Sequence, residues 1–160
     1  MKYFFDTEFI EDGEVIDLIS IGLVAEDGRE YYAESNSFNH SKAGDWVKAH
    51  VFPKLTGPAK PRKKIAQEVI AFVGEAPEFW GYYADYDWVV LCQLYGSMMA
   101  LPKNWPMFCL DLKQLVVSLG NPKLELQTKG HHNALDDARW VRETWTKLSR
   151  SSATGSVKNS

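Results

Sequence analysis

Apolar positions at the start of the chain predict three consecutive β-strands. Residues 3–9 are rich in aromatics and carry two acids, and residues 16–25 are mostly apolar, which is typical of strands with a buried face. The sequence Glu26-Asp27-Gly28 then leads into residues 29–33. Because an Asp-Gly turn between two β-rich runs favours a hairpin, the second and third strands are expected to be antiparallel neighbours.

A helical period appears further along the chain. Residues 43–51 fit a short helix, and Pro61 opens a clearer helix that Gly74 can end. The apolar stripe of this helix has the spacing of one face and consists of Ile65, Val69, Phe72 and Val73. The remaining predicted elements are a strand at 78–83, a helix at 87–95, a strand at 107–110, a helix through 119 and a final helix at about 133–148.

This order of elements predicts an α/β fold. Three strands that form a meander, followed by alternating helices and strands, are expected to build a mixed five-stranded sheet flanked by helices. The 160 residues fit one domain, which we place at residues 1–148. Residues 149–160 are polar and have no period, so we expect them to form a disordered tail.

The overall charge argues against a protein that lies along duplex DNA. The formal net charge is −3 and the isoelectric point is near 5.8, whereas duplex binders usually carry a basic excess that neutralises phosphates. A nucleic-acid substrate would therefore be held over a short footprint, which favours a strand end.

Two cysteines and the lack of long apolar runs limit the location of the protein. Cys92 and Cys109 lie in apolar surroundings without a C-x-x-C spacing, so we expect buried free thiols. No segment reaches the ~18 apolar residues that span a bilayer, and Asp6 comes too early for a signal peptide. We therefore expect no membrane partner and a cytoplasmic location.

Two acids, Asp6 and Glu8, stand two positions apart in the first predicted strand. Residues i and i+2 of a strand point to the same face, so both carboxylates would lie on one side while Phe5 and Phe9 face the other. Acids side by side repel each other and lose hydration if buried, and a bound cation removes both penalties. Solvated acids at a frayed strand end are the alternative.

A third acid, Asp87, follows an apolar strand and precedes an apolar helix. A helix N-cap is the structural alternative, because Asp is favoured at that position. Asp85 competes for the functional role. We prefer Asp87 since it lies nearer the start of the buried helix, where packing fixes the direction of its side chain.

The start of the final helix supplies a histidine and a fourth acid. Asn133 is expected to cap this helix, with Asp136 at the third helical position as in a capping box. Asp137 then points about 100° away around the helix and can face the sheet. His132 lies just before the helix, where its imidazole can take a proton from water at neutral pH, while His131 is interpreted as a surface residue.

The four acids are suited to hard divalent cations. They are Asp6, Glu8, Asp87 and Asp137. Mg²⁺ and Mn²⁺ prefer such carboxylate oxygens, whereas zinc sites favour His and Cys in close pairs. The chain has no Gly-x-Ser-x-Gly elbow, Walker loop or Gly-x-Gly-x-x-Gly. With His132, the acids predict a site for two divalent cations that fits hydrolysis of a phosphodiester.

These residues resemble the three motifs of the DEDDh 3′–5′ exonucleases, which have an RNase H-like fold. The matching segments are Asp6-x-Glu8, Tyr86-Asp87 and His132-x-Ala134-x-x-Asp137, and their order spans nearly the whole chain. Within that group, the opening Asp-Thr-Glu-Phe-Ile-Glu-Asp-Gly and residues 90–94 are similar to the polyadenylate-specific exoribonuclease AS family.

The resemblance implies an activity and a mechanism. Two Mg²⁺ ions, for which Mn²⁺ can substitute, would be held by the four acids, and His132 would deprotonate the attacking water. The expected reaction releases nucleoside 5′-monophosphates from the 3′ ends of single-stranded, adenine-rich RNA.

Three residues are candidate substrate contacts under this resemblance, namely Thr7, Phe9 and Asp111. Phe9 would stack on the terminal base. Asp111 would accept a hydrogen bond from the adenine amine, although capping of the following helix is its structural alternative. A homodimer is also expected, with surface aromatics such as Trp46 or Trp105 at the interface.

Two other functions stay open on the sequence alone. A DNA-directed exonuclease for proofreading or repair would use the same chemistry. A catalytically silent RNase H-like module would bind RNA or a protein partner. The presence of all five expected residues argues against the silent module, and the resemblance to the exoribonuclease AS family favours RNA over DNA.

Overall fold

The computed structural model describes residues 1–128 and 130–155 of the chain. The strands are β1 (Lys2–Glu11), β2 (Ile16–Ala25), β3 (Glu30–Ser35), β4 (Ala59–Lys60), β5 (Glu78–Gly81) and β6 (Leu110–Asp111). The helices are α1 (Asp45–His50), α2 (Arg62–Val73), α3 (Asp85–Gln93), α4 (Leu112–Ser118) and α5 (Ala134–Gly155). Short 3-10 turns occupy His40–Lys42, Phe52–Lys54 and Met98–Ala100.

The strands form one mixed sheet in the order β4-β3-β2-β1-β5-β6. β1, β2 and β3 are the antiparallel meander that the sequence predicts, and β5 and β6 add in parallel beside β1. The sequence predicts five strands and the sheet has six. The additional strand, β4, has only two residues and pairs in parallel with the end of β3, which is too short for a recognisable period.

The sheet separates two hydrophobic clusters of different size. On one face, α2 and α3 pack into a large cluster that contains the fully buried Phe5. On the other face, α4 and α5 pack into a smaller cluster around Phe4. A third cluster holds α1 and its neighbouring turn against Ile10 and Ile19. Helices on both faces of a sheet give the layered α/β architecture expected from the order of elements.

The N-terminal end of α5 lies directly on β2 at Gly22. A Cβ atom on Gly22 would lie 2.3 Å from the carbonyl oxygen of Ala134 and 2.4 Å from Cα of Leu135, so a side chain would force the helix away. Gly22 is the partner of Asp6 in the β1–β2 register. This close approach therefore sets the start of α5 beside the first candidate acid.

α5 extends beyond its predicted end at Leu148 and continues to Gly155. Residues 149–154 contain neither Pro nor Gly, so nothing in the local sequence stops propagation of the helix. The expected disordered tail overlaps the helix at 149–155, and its remainder, 156–160, lies outside the described residues. The domain boundary at 148 stays a prediction.

The two tryptophans expected at the surface differ in exposure. Trp46 is 53% exposed, whereas Trp105 is only 8% exposed. The indole of Trp105 packs against the rings of Phe79 and Tyr95, and its Nε1–H donates to the carbonyl of Gly74 at 2.9 Å. The expectation that Trp105 serves a surface interface is therefore wrong, because its ring is used inside the large cluster.

The cysteines are free, with Cys92 buried and Cys109 partly buried. This agrees with the sequence expectation of unpaired thiols. Among the helices in the described part of the chain, none is both long and apolar enough to cross a bilayer.

Candidate active site

β1 presents Asp6 and Glu8 on the face that α5 covers. Phe4, two positions before Asp6, packs against Trp145 of α5 with ring centroids 5.6 Å apart, so alternation along the strand places both acids on that side. The β1–β2 register shifts between Glu8 and Phe9. Such bulges are common beside active sites because they redirect side chains.

Asp87 reaches these acids from the opposite side of the sheet. It is the third residue of α3 and is 7% exposed. Its Oδ1 accepts two hydrogen bonds from Thr7, at 2.8 Å from the backbone nitrogen and 2.6 Å from Oγ1. Thr7 lies between Asp6 and Glu8 in β1, so these bonds fix the Asp87 carboxylate next to both acids.

The helix-cap alternative for Asp87 is not what the structure shows. α3 begins at Asp85, and Ala84 occupies the N-cap position. Asp85 is exposed to solvent. The buried position beside β1 therefore belongs to Asp87, the acid that the sequence analysis preferred.

Asn133 caps α5, as the sequence predicts. Its Oδ1 accepts hydrogen bonds from the backbone N–H groups of Leu135 at 3.2 Å and Asp136 at 3.3 Å. The Asp136 carboxylate does not complete a capping box but accepts from Arg139 at 2.6 Å. Asp137, the next residue, is thereby left to face the sheet.

His132 and Asp137 are joined through the backbone. The His132 N–H donates to Oδ2 of Asp137 at 3.0 Å. His132 has a φ of 63°, in the left-handed region that non-glycine residues rarely occupy and that is frequent at functional sites. The neighbouring His131 is exposed, with Nε2 2.6 Å from the carbonyl of Gln127, which agrees with a surface role.

The acids and the histidine meet beside the middle of β1, which runs from Lys2 to Glu11. One ligand atom each from Glu8, His132 and Asp137 lie within 4.8 Å of one another. Asp6 lies close enough to the other three carboxylates for their charges to raise its pKa. The structure thus brings together all five residues that the sequence singled out, which span positions 6 to 137.

Burial disfavours the charged form of all four carboxyls, and repulsion from neighbouring acids of the site adds to this effect at Asp6 and Glu8. Burial is the largest cause in each case; the pKa of Asp6 lies well above its usual range, and the pKa of Asp137 is also raised. For Glu8, burial and then the charges of Asp137 and Asp87 raise the pKa to about 8. The pKa of Asp87 rises to about 6, although its bonds with Thr7 oppose the shift. A divalent cation offsets both penalties, so this donor set fits hard metal ions.

The imidazole of His132 favours its neutral form. Partial burial lowers its pKa, and the positive surroundings of His131, His50 and Lys54 act in the same direction, against the charge of Asp137. A neutral imidazole can accept a proton at neutral pH. The ring is therefore suited to act as a base beside the acids.

A cavity of about 360 Å³ opens next to this cluster, within the size range of small-ligand pockets. Asp6, His132 and Asp137 are among the residues that line it. Its lining also includes apolar and aromatic residues, namely Tyr82, Leu124, Leu126, Trp140 and Val141. The cavity thus has both acidic and apolar lining residues, so a flat apolar group can pack within it near the acids.

Two of the predicted substrate contacts have internal partners. Both donors of Thr7 are directed to Asp87, and the ring of Phe9 lies edge-on to Tyr86 at 5.9 Å. Thr7 therefore supports a candidate metal ligand, a role that sequence reasoning missed. The sequence did contain an indication of this role, because Thr7 is a polar residue on the strand face that Phe5 and Phe9 share.

Asp111 has the capping role considered as its structural alternative. Its Oδ1 accepts from the backbone nitrogens of Lys113 at 2.6 Å and Gln114 at 3.3 Å, and its Oδ2 accepts from Ala84 at 2.9 Å. Contact between Asp111 and adenine stays a prediction, as do the substrate contacts of Thr7 and Phe9.

Two other residues lie around the site, and the sequence offered no reason to expect either of them there. Gly22 gives α5 room beside Asp6. Trp46 lies with its indole against the ring of His132, with centroids 4.7 Å apart. Both contacts join segments far apart in the chain, so neither follows from local spacing.

Solved nuclease structures share this fold. The RNase domain of the yeast Pop2 protein matches with a TM-score of 0.66 at 13% identity, covering 95% of this chain and 78% of that one. The zinc-bound E. coli ExoI–ssDNA complex matches with a TM-score of 0.67 at 9% identity. That match covers 94% of this chain but only 40% of the ExoI chain. At such low identity the likeness establishes the RNase H-like fold alone.

Sequence relatives are much closer. The chain is 48% identical over 147 residues to the 3′-5′ exoribonuclease Rv2179c of Mycobacterium tuberculosis strain H37Rv, across 87% of this chain and 88% of that protein. The 3′-5′ exoribonuclease MT2234.1 of strain CDC 1551 matches to the same extent. Residues 1–149 also match the model of the 3′-5′ exoribonuclease Rv2179c-like domain. The chain therefore belongs to the Rv2179c-like 3′-5′ exoribonuclease domain family.

Proposed function

We propose that the protein is a metal-dependent 3′–5′ exoribonuclease that shortens single-stranded RNA and prefers adenine-rich 3′ ends. The observation that carries this proposal is the meeting of four acids from β1, α3 and α5 with His132 at one point. Membership of the exoribonuclease family supports the same reaction.

The metal site is proposed from the chemistry of its donors. The residues that would hold two Mg²⁺ ions are Asp6, Glu8, Asp87 and Asp137. When bound, such ions neutralise charge at the scissile phosphate and lower the pKa of a water. Mn²⁺ is expected to substitute, since it accepts the same oxygen ligands.

The histidine performs the proton transfer. The neutral imidazole of His132 accepts a proton from the attacking water, whose oxygen forms a new bond to phosphorus. The bond between phosphorus and the 3′ oxygen of the preceding nucleotide breaks, and that oxygen takes a proton from solvent water to become a hydroxyl, while the imidazolium of His132 returns its proton to solvent. The products are a nucleoside 5′-monophosphate and an RNA shortened by one residue.

Binding of an RNA 3′ end is proposed from the net charge of the protein and from the cavity beside Asp6. A net charge of −3 disfavours a long phosphate-binding track, whereas the cavity beside Asp6 offers Tyr82 and Trp140 as apolar surfaces for a base. The adenine preference rests on the resemblance of the opening segment to the exoribonuclease AS family.

The experiment compares 5′-labelled homopolymer RNAs and matched DNA with Mg²⁺, Mn²⁺ or chelator, using wild type, Asp6→Ala and His132→Ala. We expect stepwise shortening of adenine homopolymer RNA from its 3′ end, monophosphate products and almost complete loss in both variants. Asp85→Ala is the matched control, because Asp85 is an exposed acid two positions from Asp87. Faster degradation of DNA, retained activity in Asp6→Ala or activity in chelator would overturn the proposal.

The expected homodimer and cytoplasmic location stay predictions. Sedimentation at several protein concentrations tests the dimer. Trp46→Ala at the exposed tryptophan tests whether that ring contributes to association.

A further inference from the structure

An aromatic pair on α1 lies against the proposed base. The indole of Trp46 meets the ring of His132 edge to face, with centroids 4.7 Å apart and planes at 83°. His50, one turn further along α1, stacks on the same indole at 4.7 Å and 20°. The Nδ1 atom of His50 lies 2.9 Å from the carbonyl oxygen of Trp46. The three rings form one group that includes the catalytic imidazole.

This segment is anchored independently of the acids. Val47, Val51 and Phe52 belong to the cluster that packs against Ile10 and Ile19 of the first two strands. A fixed position on the sheet makes α1 a rigid support, since packed side chains in such clusters have little free volume.

A second contact joins the α1 segment to the start of α5. The side-chain amide of Asn133 donates to the carbonyl of Lys54 at 3.5 Å. Asn133 is also the N-cap of α5 and follows His132 directly. The segment that carries Trp46 is therefore tied to the loop that carries the base.

The imidazole needs such support because its backbone contact leaves the ring orientation open. The hydrogen bond from His132 to Asp137 comes from the backbone nitrogen, and it does not set the side-chain torsions. His132 also has a left-handed backbone conformation, which persists only where the surroundings hold it. A ring packed edge to face gains further stabilisation from the aromatic quadrupole.

We propose that Trp46, supported by His50, is a positioning residue that holds the imidazole of His132 toward the acids. The role rests on the proposed function, because it orients the group that takes the proton from water. Trp46 touches the base rather than the reacting atoms, so it acts through His132.

The kinetic test replaces the indole and separates kcat from KM. Misplacement of a catalytic group by about 1 Å costs up to about 100-fold, so Trp46→Ala should lower kcat roughly tenfold or more while KM changes less than about twofold. Trp46→Phe keeps an aromatic face and should recover most of kcat. Phe108→Ala removes another exposed aromatic ring, 62% exposed, and should leave kcat unchanged.

A double-mutant cycle shows whether the indole acts through the histidine. In a His132→Ala background, Trp46→Ala should change the remaining rate less than about twofold, because the group that it positions is gone. An equal loss in both backgrounds, or a loss confined to KM, would mean that the indole contacts RNA directly and would overturn the proposal.

Proton NMR of the four histidines tests the contact without any reaction. The ring protons of His132, assigned by their loss in His132→Ala, should be displaced by the indole and return toward exposed-histidine positions in Trp46→Ala and only partly in Trp46→Phe. Unchanged His132 signals would contradict the proposal. If wild type degrades no RNA, the proposed function fails, while this measurement still decides whether the indole holds the ring. Melting curves identify any variant that does not fold, and Trp46→Phe then replaces Trp46→Ala in every comparison.

Discussion

The two faces of β1 have different tasks, and the difference explains how one short strand serves both folding and chemistry. On the face toward α2 and α3, Tyr3 and Phe5 are buried among apolar side chains. On the face toward α5, Phe4 is followed by Asp6 and then Glu8, where burial raises the pKa of both carboxyls. The buried apolar side chains lower the free energy of the folded state, whereas burial of the charged acids raises it.

Thr7 connects the two faces. It lies on the side of Phe5 but donates both of its hydrogen bonds to Asp87. The carboxylate of Asp87 thereby reaches the acids of the other side. The comparison predicts that changes on one face affect stability and changes on the other affect activity, with Thr7 between them.

The largest expected effect is on the acidic face. Asp6→Asn removes a carboxylate from the centre of the acids. It should reduce the rate of RNA degradation by about 10³-fold or more, because a metal ion held there would lower the activation barrier by several kcal/mol. Its melting temperature in metal-free buffer should equal or exceed that of wild type because repulsion is relieved. A stable variant with wild-type rate would contradict the role of Asp6.

The next effect is on the packed face. Phe5→Ala should lower the free energy of unfolding by about 3–5 kcal/mol, because Phe5 is fully buried and its ring contacts those of Phe79 and Trp88. Urea titration measures the loss. The rate per folded molecule should stay near that of wild type. A loss below about 1 kcal/mol would show that the large cluster does not depend on this ring.

Metal binding should stabilise only a chain with intact acids. At Mg²⁺ about 100 times its dissociation constant, the free energy of unfolding should rise by about 2.7 kcal/mol. The same titration on Asp137→Asn should give a smaller rise, and on the exposed-acid variant Asp85→Asn the full rise. Equal stabilisation of all three chains would mean that the cation binds elsewhere.

The smallest expected effect is at the residue between the faces. Thr7→Val removes the hydroxyl donor to Asp87 and keeps the shape of the side chain. Groups that orient metal ligands typically contribute about 10- to 100-fold, so activity should fall by about tenfold or somewhat more. Thr144→Val, at another buried threonine, is the control and should retain activity. Equal rates in the two variants would remove Thr7 from the supporting role.

The elements that can be predicted from the sequence are those marked by a pattern of neighbouring residues. β2 has the predicted bounds because its apolar run ends at an Asp-Gly turn. Asp87 is buried and Asp85 is exposed, as expected from the apolar residues that directly follow Asp87 in the sequence. The convergence of the acids was expected from the motifs at 6–8, 86–87 and 132–137 taken together, with their resemblance to the DEDDh exonucleases.

The features that the sequence did not indicate depend on contacts between distant segments. β4 exists as a strand only because β3 pairs with it. The position of Trp46 against His132 depends on how α1 docks on the sheet. The buried state of Trp105 depends on Phe79 and Tyr95, and its local sequence, Pro102-Lys103-Asn104-Trp105-Pro106, gives no indication that the indole is buried.

The absence of a side chain at Gly22 makes catalysis a reporter of completed folding. The backbone of Ala134 occupies the space of a Cβ at Gly22. The carboxylate of Asp137 therefore reaches the other three acids only when α5 packs on the paired strands β1 and β2. A partly unfolded molecule with that helix detached would keep three acids and lose the fourth together with the imidazole. In a denaturant series, hydrolysis should therefore disappear no later than the spectroscopic signal of the intact domain.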